Sequence, residues 1–474
     1  MAARGILSYG AYLPYRRLDR SEIRAVAGTG GGSGTRTVAG YDEDTTTMGV
    51  AAARTALACA PGGVRPGSLW FATVSPAYLD KTNATAVHAA LRLDPAAGAF
   101  DVNGAVRSAV GALRAGLAAG SPSLVVAADI RTGLPGSDDE AAGGDGAAAL
   151  LVGSADDGPL VAEVVAWGSA TEEFLDRWRT PGESRSKVWE ERFGQARYGA
   201  LGARAWDDAL KAGGLAAGEV DRVVVATSHP RAAVALGRSL GLGDRLAPAL
   251  GDTVGFTGAA EPGLLLAHAL DRAAPGETIA VVVLADGADV LVVRTTAALA
   301  EAGRRPRPGV ADQVATGAPV PYGKALAWRG HLPVEPPRRP EPARPSAAAA
   351  GRSGDWKFGL VGGRGDDGTV HLPPLPRDDQ GRPMADATGT IATFTVDRLA
   401  YSPSPPVVFA VVDFDGGGRL PVELTDVDPS RPGDVAIGGR VEMTFRRLFT
   451  ADGIHNYFWK ARPVRTAGAG GGEA

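Results

Sequence analysis

The sequence predicts an α/β fold built from two duplicated halves, followed by a small all-β domain. Three observations lead to this prediction. Up to about residue 300, short β-branched runs alternate with Ala- and Leu-rich stretches. Three short motifs of the first half recur in the same order in the second half. The last 120 residues consist instead of strand-like runs separated by Gly, Pro and Asp turns.

The composition limits the class of protein. The 474 residues are 45% hydrophobic and 22% charged, which indicates a globular chain with a buried core. A net charge of -4 provides no field that would attract nucleic acid or an anionic membrane. One cysteine excludes both an intrachain disulfide and a zinc site built from cysteines. Because the first residues lack the apolar core of a signal peptide and no apolar run reaches membrane-spanning length, we expect a cytoplasmic protein.

The elements of the first 300 residues follow from periodicity. Two stretches, 45–59 and 106–119, place apolar residues three and four positions apart and are predicted to be helices packed on a sheet. The candidate strands are short β-branched runs at 69–73, 123–127, 149–153, 222–227, 279–284 and 290–294.

The internal repeat divides this region into two halves. Residues 69–76 resemble 223–230, the Asp-Val-Asn-Gly at 101–104 resembles the Asp-Thr-Val-Gly at 252–255, and the turn at 144–152 resembles that at 285–293. The offsets are 154, 151 and 141 residues. Three matches in one order predict a duplicated α/β unit, with halves at 1–165 and 166–300 whose sheets are related by a pseudo-twofold axis.

The remainder of the chain divides in two. Residues 301–354 are rich in Pro and Arg and are expected to form an extended connection. Residues 355–474 are predicted to form a small antiparallel barrel or sandwich. Its strands offer no basic stripe with interleaved aromatic residues, so we expect this domain to dock a partner rather than nucleic acid.

Several longer stretches resemble a known family. YDEDTTTMGVAAARTAL at 41–57, GDGAAALLV at 144–152 and GFTGAAEPGLLLAHALDRAAPG at 255–276 resemble the thiolase superfamily, in particular the 3-hydroxy-3-methylglutaryl-CoA synthase and ketoacyl synthase III branch. The C-terminal part, including GIHNYFWKARP at 453–463, is similar to the OB-fold acyl-CoA-associated domain. The resemblance implies a duplicated five-layer thiolase-like fold followed by an OB-fold. It also implies a CoA or phosphopantetheine thioester as substrate, no cofactor, and a homodimer or a complex with a thiolase-like protein.

The resemblance also assigns the positions that carry the chemistry. In the family a Cys at the start of a buried helix attacks the thioester, a His and an Asn polarise its carbonyl, and in synthases a Glu removes a proton. The Cys position, after the Asp-Val-Asn-Gly-Ala at 101–105, is Val106 in this chain. The Glu position is Val74 and the Asn position is Phe256. Because valine cannot form an acyl-enzyme, we expect the usual synthase reaction to be absent.

Four polar residues remain as candidates for the pocket: His229, Ser75, Ser108 and Thr257. For His229, both a place in the pocket and a structural place in a loop remain open. The only thiol, Cys59, belongs to a different helix from the nucleophile position and is expected to be a small packing residue.

The OB-fold relatives open with a four-cysteine zinc ribbon ahead of a G-T-V-x-x-P-P motif. This chain keeps that motif at 368–374 but has no cysteine around it, and the acidic residues near it lack the spacing of a cation site. No metal is therefore predicted, and we expect a solvated turn at the acidic residues Asp366, Asp367, Asp378 and Asp379.

Three functions are consistent with these residues. The first is an atypical enzyme or assembly subunit that binds an acyl thioester and forms or cleaves a C–C bond by aldol or retro-aldol chemistry. The second is an inactive scaffold partner of a separate thiolase. The third is an ordinary synthase or acyltransferase whose nucleophile has been misassigned, which would require Cys59 to react.

Overall fold

A computed structural model describes residues 2–302, 308–378, 380–429, 431 and 433–465. Nine strands form its largest sheet, in the order β7-β8-β9-β6-β1-β5-β4-β2-β3. In chain order they are β1 (Arg4–Tyr12), β2 (Ser68–Thr73), β3 (Gly98–Asn103), β4 (Ser123–Asp129), β5 (Gly146–Ser154), β6 (Ala162–Ala170), β7 (Arg222–Thr227), β8 (Thr278–Leu284) and β9 (Ala288–Thr295).

The sheet joins two half-sheets. Strands β1–β5 come from the first half of the repeat and β6–β9 from the second, and the halves meet where β1 pairs antiparallel with β6 at Gly5 and Ile6. A side chain at Gly5 would lie 2.2 Å from the carbonyl oxygen of Ala162, so only glycine permits this approach. All six predicted strands are confirmed, whereas β1, β3 and β6 were not among the predicted strands.

Thirteen α-helices occur in the described part of the chain. They are α1 (Ser21–Ala27), α2 (Thr45–Ala58), α3 (Ala84–Ala90), α4 (Ser108–Ala118), α5 (Asp138–Ala142), α6 (Glu191–Gly213), α7 (Pro230–Ser239), α8 (Glu261–Leu270), α9 (Ala298–Ala302), α10 (Val310–Ala315), α11 (Tyr322–Trp328), α12 (Ala347–Arg352) and α13 (Gly354–Gly359). The two predicted helices correspond to α2 and α4.

Strands and helices form five layers. Helix α2 packs on the outer face of the first half-sheet, where its Ala52 joins Leu69 and Val126 in one apolar cluster. Helices α4 and α8 lie between the two half-sheets, and α6 and α7 cover the outer face of the second. Because the strands inside the sheet are covered on both faces, their β-branched residues form continuous buried runs. The predicted duplicated five-layer fold is confirmed.

The Pro-rich segment differs from the expected extended connection. Helices α10 and α11 fold within it, and Tyr322 and Leu326 are buried against Leu18 and Ile23 of the first half. The Tyr322 hydroxyl also donates a hydrogen bond to Glu140 at 2.5 Å. A short strand, Ala318–Pro319, joins Arg16–Asp19 and Thr35–Val38 in a three-stranded sheet. A few apolar residues with helical spacing therefore fold this segment back despite its prolines.

The C-terminal strands close into a five-stranded barrel, as predicted, in the order β10-β11-β12-β14-β13. They are β10 (Thr388–Asp397), β11 (Val407–Phe414), β12 (Arg419–Leu424), β13 (Arg440–Ala451) and β14 (Ile454–Pro463).

A small sheet of Val361–Arg364, Val370–His371 and Gln380–Pro383 precedes the barrel, in the segment where a solvated turn was expected. Asp378 is not simply solvated there, because it accepts from the Leu375 backbone N–H at 2.7 Å and pairs with His371 at 2.7 Å. Asp379 lies outside the described residues. Among the described residues, no group of three or more His, Cys, Asp or Glu side chains is arranged to hold a metal ion.

Buried charges join the barrel to the first half. Lys460 of β14 is fully buried, and its Nζ lies 3.1 Å from Asp42 and 2.6 Å from Glu423. Arg446 of β13 is also fully buried and lies 3.2 Å from Glu43. We call residues 42–44, which precede α2, the acidic turn. The barrel is therefore held by ion pairs that are shielded from solvent, rather than by apolar contact alone.

The tip of the barrel hairpin also contacts the rim loop, which we define as residues 74–83 between β2 and α3. The backbone N–H of His455 donates to the Tyr78 hydroxyl at 2.7 Å, and the two rings lie 4.8 Å apart. Within the described residues, no helix has both the length and the apolar character needed to span a membrane.

Candidate functional site

A cavity of about 440 Å³ opens where the carboxyl ends of strands from both halves meet. It is lined by the residues that follow β2, β3 and β4 in the first half and β7 and β8 in the second. Strands β2, β3 and β4 are parallel to one another, as are β7 and β8, so their carboxyl ends lie at common sheet edges. In open α/β sheets such edges are where ligands bind. The repeated motifs of the sequence converge on this cavity.

Four of the residues singled out from the sequence line this cavity: Val74, Ser75, Val106 and Phe256. The Ser75 hydroxyl donates to Asp129 at 3.3 Å and accepts from the backbone N–H of Ile130 at 3.1 Å. This hydroxyl is therefore committed to holding the rim loop against β4.

Two further predicted residues do not line the cavity. The Ser108 hydroxyl accepts from the backbone N–H of Ala105 at 3.3 Å, and Thr257 donates to the Glu261 carboxylate at 2.6 Å. Thr257 is fully buried, and burial raises the pKa of Glu261, while the Thr257 bonds partly offset this rise. Both hydroxyls fix the loops that carry the cavity wall.

The start of α4 retains its helical geometry without a thiol. The helix begins at Ser108, two residues after Val106. The intervening Arg107 turns away and is anchored by Asp289 at 2.7 Å, the Asp286 carbonyl at 2.9 Å and Thr171 at 2.9 Å. Nucleophilic attack from the position of Val106 is therefore chemically impossible, although the helix terminus remains in place.

His229 is buried at the start of α7 and does not itself line the cavity. Its Nε2 lies 2.7 Å from Oδ2 of Asp176, and the same oxygen accepts from the Tyr198 hydroxyl at 3.3 Å. Asp176 and Tyr198 do line the cavity. The other carboxylate oxygen, Asp176 Oδ1, is buried and has no hydrogen-bond partner among the residues that the structure describes, and a side chain at Gly194 would lie 2.3 Å from it. An orphaned buried carboxylate oxygen is costly and suggests a partner that arrives with a ligand.

Asp286 is a second carboxylate of the cavity wall. It follows β8 with a φ of 48°, and its backbone N–H donates to the Tyr198 hydroxyl at 3.3 Å. Burial and the nearby charge of Asp176 raise the pKa of Asp286, while Arg107 partly offsets this rise. The Tyr198 hydroxyl therefore bonds to both aspartates, to the carboxylate of Asp176 and to the backbone N–H of Asp286. We call these three residues the acidic group.

Three arginines line the same cavity: Arg131, Arg177 and Arg179. Sequence reasoning did not single out these arginines, Asp176 or Tyr198. Asp176, Arg177 and Arg179 lie in residues 171–190, where the structure has only two-residue strands, so hydrophobic periodicity gave no signal there. Asp286 lies inside the repeated turn, where its Asp-Gly matches the Asp-Gly at 145–146, and this repeat was a usable signal.

Cys59 lies buried at the C-terminal end of α2 and is not among the residues that line the cavity. Its thiol is therefore outside the site formed by the repeated motifs.

Comparison with known proteins finds relatives that cover about 60% of the chain. A hydroxymethylglutaryl-CoA synthase of Methanopyrus kandleri is 31% identical over 299 residues, covering 60% of this chain and 85% of the relative. A protein of the same name from Aeropyrum pernix is 31% identical over 317 residues, covering 63% of this chain and 86% of the relative.

Solved structures show the same fold. An HMG-CoA synthase complexed with CoA superimposes with a TM-score of 0.59 at 17% identity, covering 68% of this chain and 89% of that one. The HMG synthase of the curacin biosynthetic pathway, in complex with a holo donor-ACP, gives 0.58 at 18% identity, with 68% and 88% covered. A 3-oxoacyl-(acyl carrier protein) synthase III of Pseudomonas aeruginosa gives 0.52 at 23% identity, with 62% and 98% covered. In the barrel, residues 381–446 match the family model described as the ChsH2 C-terminal OB-fold domain.

Proposed function

The chain belongs to the hydroxymethylglutaryl-CoA synthase family, and from that premise we propose that it binds an acyl thioester and performs aldol-type chemistry without an acyl-enzyme. The thioester is that of CoA or of a carrier-protein phosphopantetheine, the two forms named in the titles of similar solved structures. The observation that supports the proposal is the cavity itself. It has Val106 in place of the nucleophile, and its wall contains Asp176, which is paired with the buried His229 behind it.

The proposed reaction is cleavage of a 3-hydroxyacyl thioester, or its reverse. A base takes the proton of the β-hydroxyl, the bond between Cα and Cβ breaks, and Cβ becomes the carbonyl carbon of one product. The electron pair passes to Cα and gives the thioester enolate, which is then protonated at Cα to release the second product. This sequence needs no covalent enzyme intermediate and no oxidant.

The acidic group supplies the proton transfers in this proposal. Asp176 is the base, because its Oδ1 atom is buried without a partner and the residue lines the cavity. His229 is a positioning residue that holds the other carboxylate oxygen. Asp286 lines the same cavity, and burial and the charge of Asp176 raise its pKa, so in this proposal it is the second group that exchanges a proton with the substrate.

The proposal includes a homodimer formed through β3. This strand is the last in the nine-stranded sheet and is only partly covered, with the side chain of Phe100 47% exposed. Such an edge offers unpaired backbone groups to a second copy.

The test is turnover of 3-hydroxyacyl-CoA thioesters, hydroxymethylglutaryl-CoA among them, followed by chromatography of the products. We expect cleavage by the wild-type chain, its loss in Asp176→Asn, a reduced rate in His229→Ala, and full activity in the control Asp207→Asn on the exposed face of α6. Intact mass after incubation should show no acyl adduct.

Two other results would refute the proposal in different ways. An acyl adduct on Cys59 would indicate an ordinary synthase. Absence of turnover, together with co-purification of a cysteine-bearing thiolase from the native host, would indicate a scaffold.

A further inference from the structure

The rim loop forms one side of the cavity but has little main-chain support of its own. In the described part of the chain, the backbone groups of residues 76–82 form no hydrogen bond with another backbone group. Such a loop opens locally at low cost unless side chains from elsewhere hold it. The position of this wall therefore depends on its neighbours. Four residues of the loop line the cavity: Val74, Ser75, Pro76 and Leu79.

The two ends of the rim loop are fixed within the first half. At its start, the backbone N–H of Val74 donates to Asp129 at 2.7 Å. At its end, the Asn83 side chain accepts from the Tyr78 N–H at 2.9 Å and donates to the Tyr78 carbonyl oxygen at 2.9 Å. These two bonds close the end of the loop into one compact turn, so a shift of Tyr78 carries the neighbouring Leu79 with it.

The middle of the rim loop is held by the barrel. The backbone N–H of His455, at the tip of the hairpin between β13 and β14, donates to the Tyr78 hydroxyl at 2.7 Å. The two rings lie 4.8 Å apart, within the range of favourable aromatic contact. The Thr450 hydroxyl lies 2.8 Å from Nδ1 of His455 and fixes the orientation of the ring. One residue of the barrel therefore contacts the rim loop through both its backbone and its side chain.

The imidazole brings no charge to the rim of the cavity at neutral pH. Burial and the charge of Arg447 lower the pKa of His455, while Asp44 and a hydrogen bond with the backbone of Ala77 oppose this shift. The ring is therefore uncharged near pH 7. Substitution of His455 consequently tests its contacts with the rim loop rather than its charge.

The hairpin is a firm support, because the acidic turn fixes its position. The Tyr457 hydroxyl donates to Asp44 at 2.7 Å, and the backbone N–H of Arg447 donates to the Asp42 carbonyl oxygen at 2.9 Å. Strands β13 and β14 stay paired as far as Ala451, next to the tip. The tip of the barrel therefore has a set position beside the cavity, and the rim loop packs against it.

We propose that the barrel tip takes part in thioester binding, with His455 as a positioning residue that holds Tyr78 and thereby places Leu79 at the cavity mouth. This inference rests on the proposed function, because it assumes that an acyl thioester enters the cavity. Leu79 is 77% exposed and lies at the outer edge of the cavity, whereas Asp176 is buried. A thioester whose acyl group reaches Asp176 places its pantetheine arm beside Leu79. His455 therefore sets the affinity for the arm and not the rate of the chemical step.

The test combines calorimetry and hydrogen–deuterium exchange on the full chain. The probe is acetyl-CoA, the thioester that cleavage of hydroxymethylglutaryl-CoA would release. In His455→Ala the peptide that covers the rim loop should exchange faster, while β13 and β14 keep their protection. The Kd of acetyl-CoA should rise about fivefold, the size of effect that one lost hydrogen bond gives. In turnover, KM should rise by a similar factor while kcat stays within about twofold.

Three further variants make the result specific. Tyr78→Phe removes one hydroxyl and keeps the ring, so it should fold normally and raise the Kd by about twofold. His455→Gln keeps a side-chain donor and should recover part of the lost affinity. Tyr401→Phe is the matched control, because it removes a hydroxyl from the loop between β10 and β11, outside the cavity, and should change nothing.

Three results would overturn the inference. Exchange and acetyl-CoA affinity at wild-type values in both His455→Ala and Tyr78→Phe would refute it while the proposed function stands. A fall in kcat at unchanged KM would assign His455 to the chemical step. Absence of acetyl-CoA binding by the wild-type chain would refute this inference and the proposed function together.

Discussion

Replacing Lys460 by Met tests whether buried ion pairs hold the barrel to the first half of the chain. The Lys460 ammonium is fully buried, and it contacts Asp42 at 3.1 Å, Glu423 at 2.6 Å and the Tyr41 hydroxyl at 3.4 Å. Methionine has a similar shape and keeps the apolar contacts of the side-chain stem. The substitution therefore removes the charge with little loss of packing.

The expected magnitude follows from the contact with Asp42. At an effective dielectric constant of about 20, two unit charges 3.1 Å apart interact by about 5 kcal/mol. Desolvation of the ammonium opposes this attraction in the native protein. In the variant the buried Asp42 carboxylate keeps its own desolvation cost without its partner. Removal of one partner from a buried pair typically lowers the free energy of unfolding by about 3–5 kcal/mol, and we expect a loss in this range.

The assay is urea denaturation followed by circular dichroism and tryptophan fluorescence, with the midpoint compared between variants. Lys187→Met is the matched control, because Lys187 pairs with Glu183 at 2.9 Å on the surface and its removal should leave the midpoint unchanged. In an Asp42→Asn background the loss caused by Lys460→Met should shrink. If Lys460→Met shifts the midpoint no more than Lys187→Met does, the ion pairs do not hold the interface.

Three further predictions concern the cavity and the acidic turn. Gly194→Ala would place a methyl group 2.3 Å from Asp176 Oδ1, so turnover should fall by about tenfold or more while α6 remains folded, whereas Gly199→Ala in the same helix meets open space and should be silent. Val106→Cys restores a thiol at the start of α4 and should acquire an acyl adduct from acetyl-CoA by intact mass; a failure to do so would show that this position does not face the thioester. Burial raises the pKa of Asp42, but the charges of Lys460 and Arg446 outweigh it and hold the pKa below its usual value. Its contribution to stability is therefore complete above about pH 4 and is lost as the pH falls through the lowered pKa, so Asp42→Asn should reduce the loss of stability in acid-unfolding curves.

Much of the fold was predictable because it depends on periodicity and repetition. Helices α2 and α4 bury apolar stripes, and the β-branched runs lie in a sheet covered on both faces, so local pattern and tertiary environment agree. The missed strand β3 has only partly covered residues at the edge of the sheet, so it lacks a continuous apolar run.

The site was less predictable, as two related aspartates show. Asp145 and Asp286 occupy equivalent turns of the repeat. Asp145 is fully buried and is satisfied by the backbone N–H groups of Ala39 and Arg131 and by two arginines. Asp286 instead lines the cavity. Their different roles depend on which residues from distant loops arrive beside them, and neighbouring sequence does not encode that information.

The charges buried between the barrel and the acidic turn also bear on assembly. A barrel made as a separate chain would expose Lys460 and Arg446 to water and would incur their dehydration at every encounter. In this chain that dehydration occurs once, as the polypeptide folds. Translation therefore fixes the stoichiometry at one barrel for each cavity, whatever the concentration of the protein. The tip of the barrel hairpin, which contacts Tyr78 of the rim loop, is likewise present beside every cavity. It is part of the same chain and does not exchange between sites.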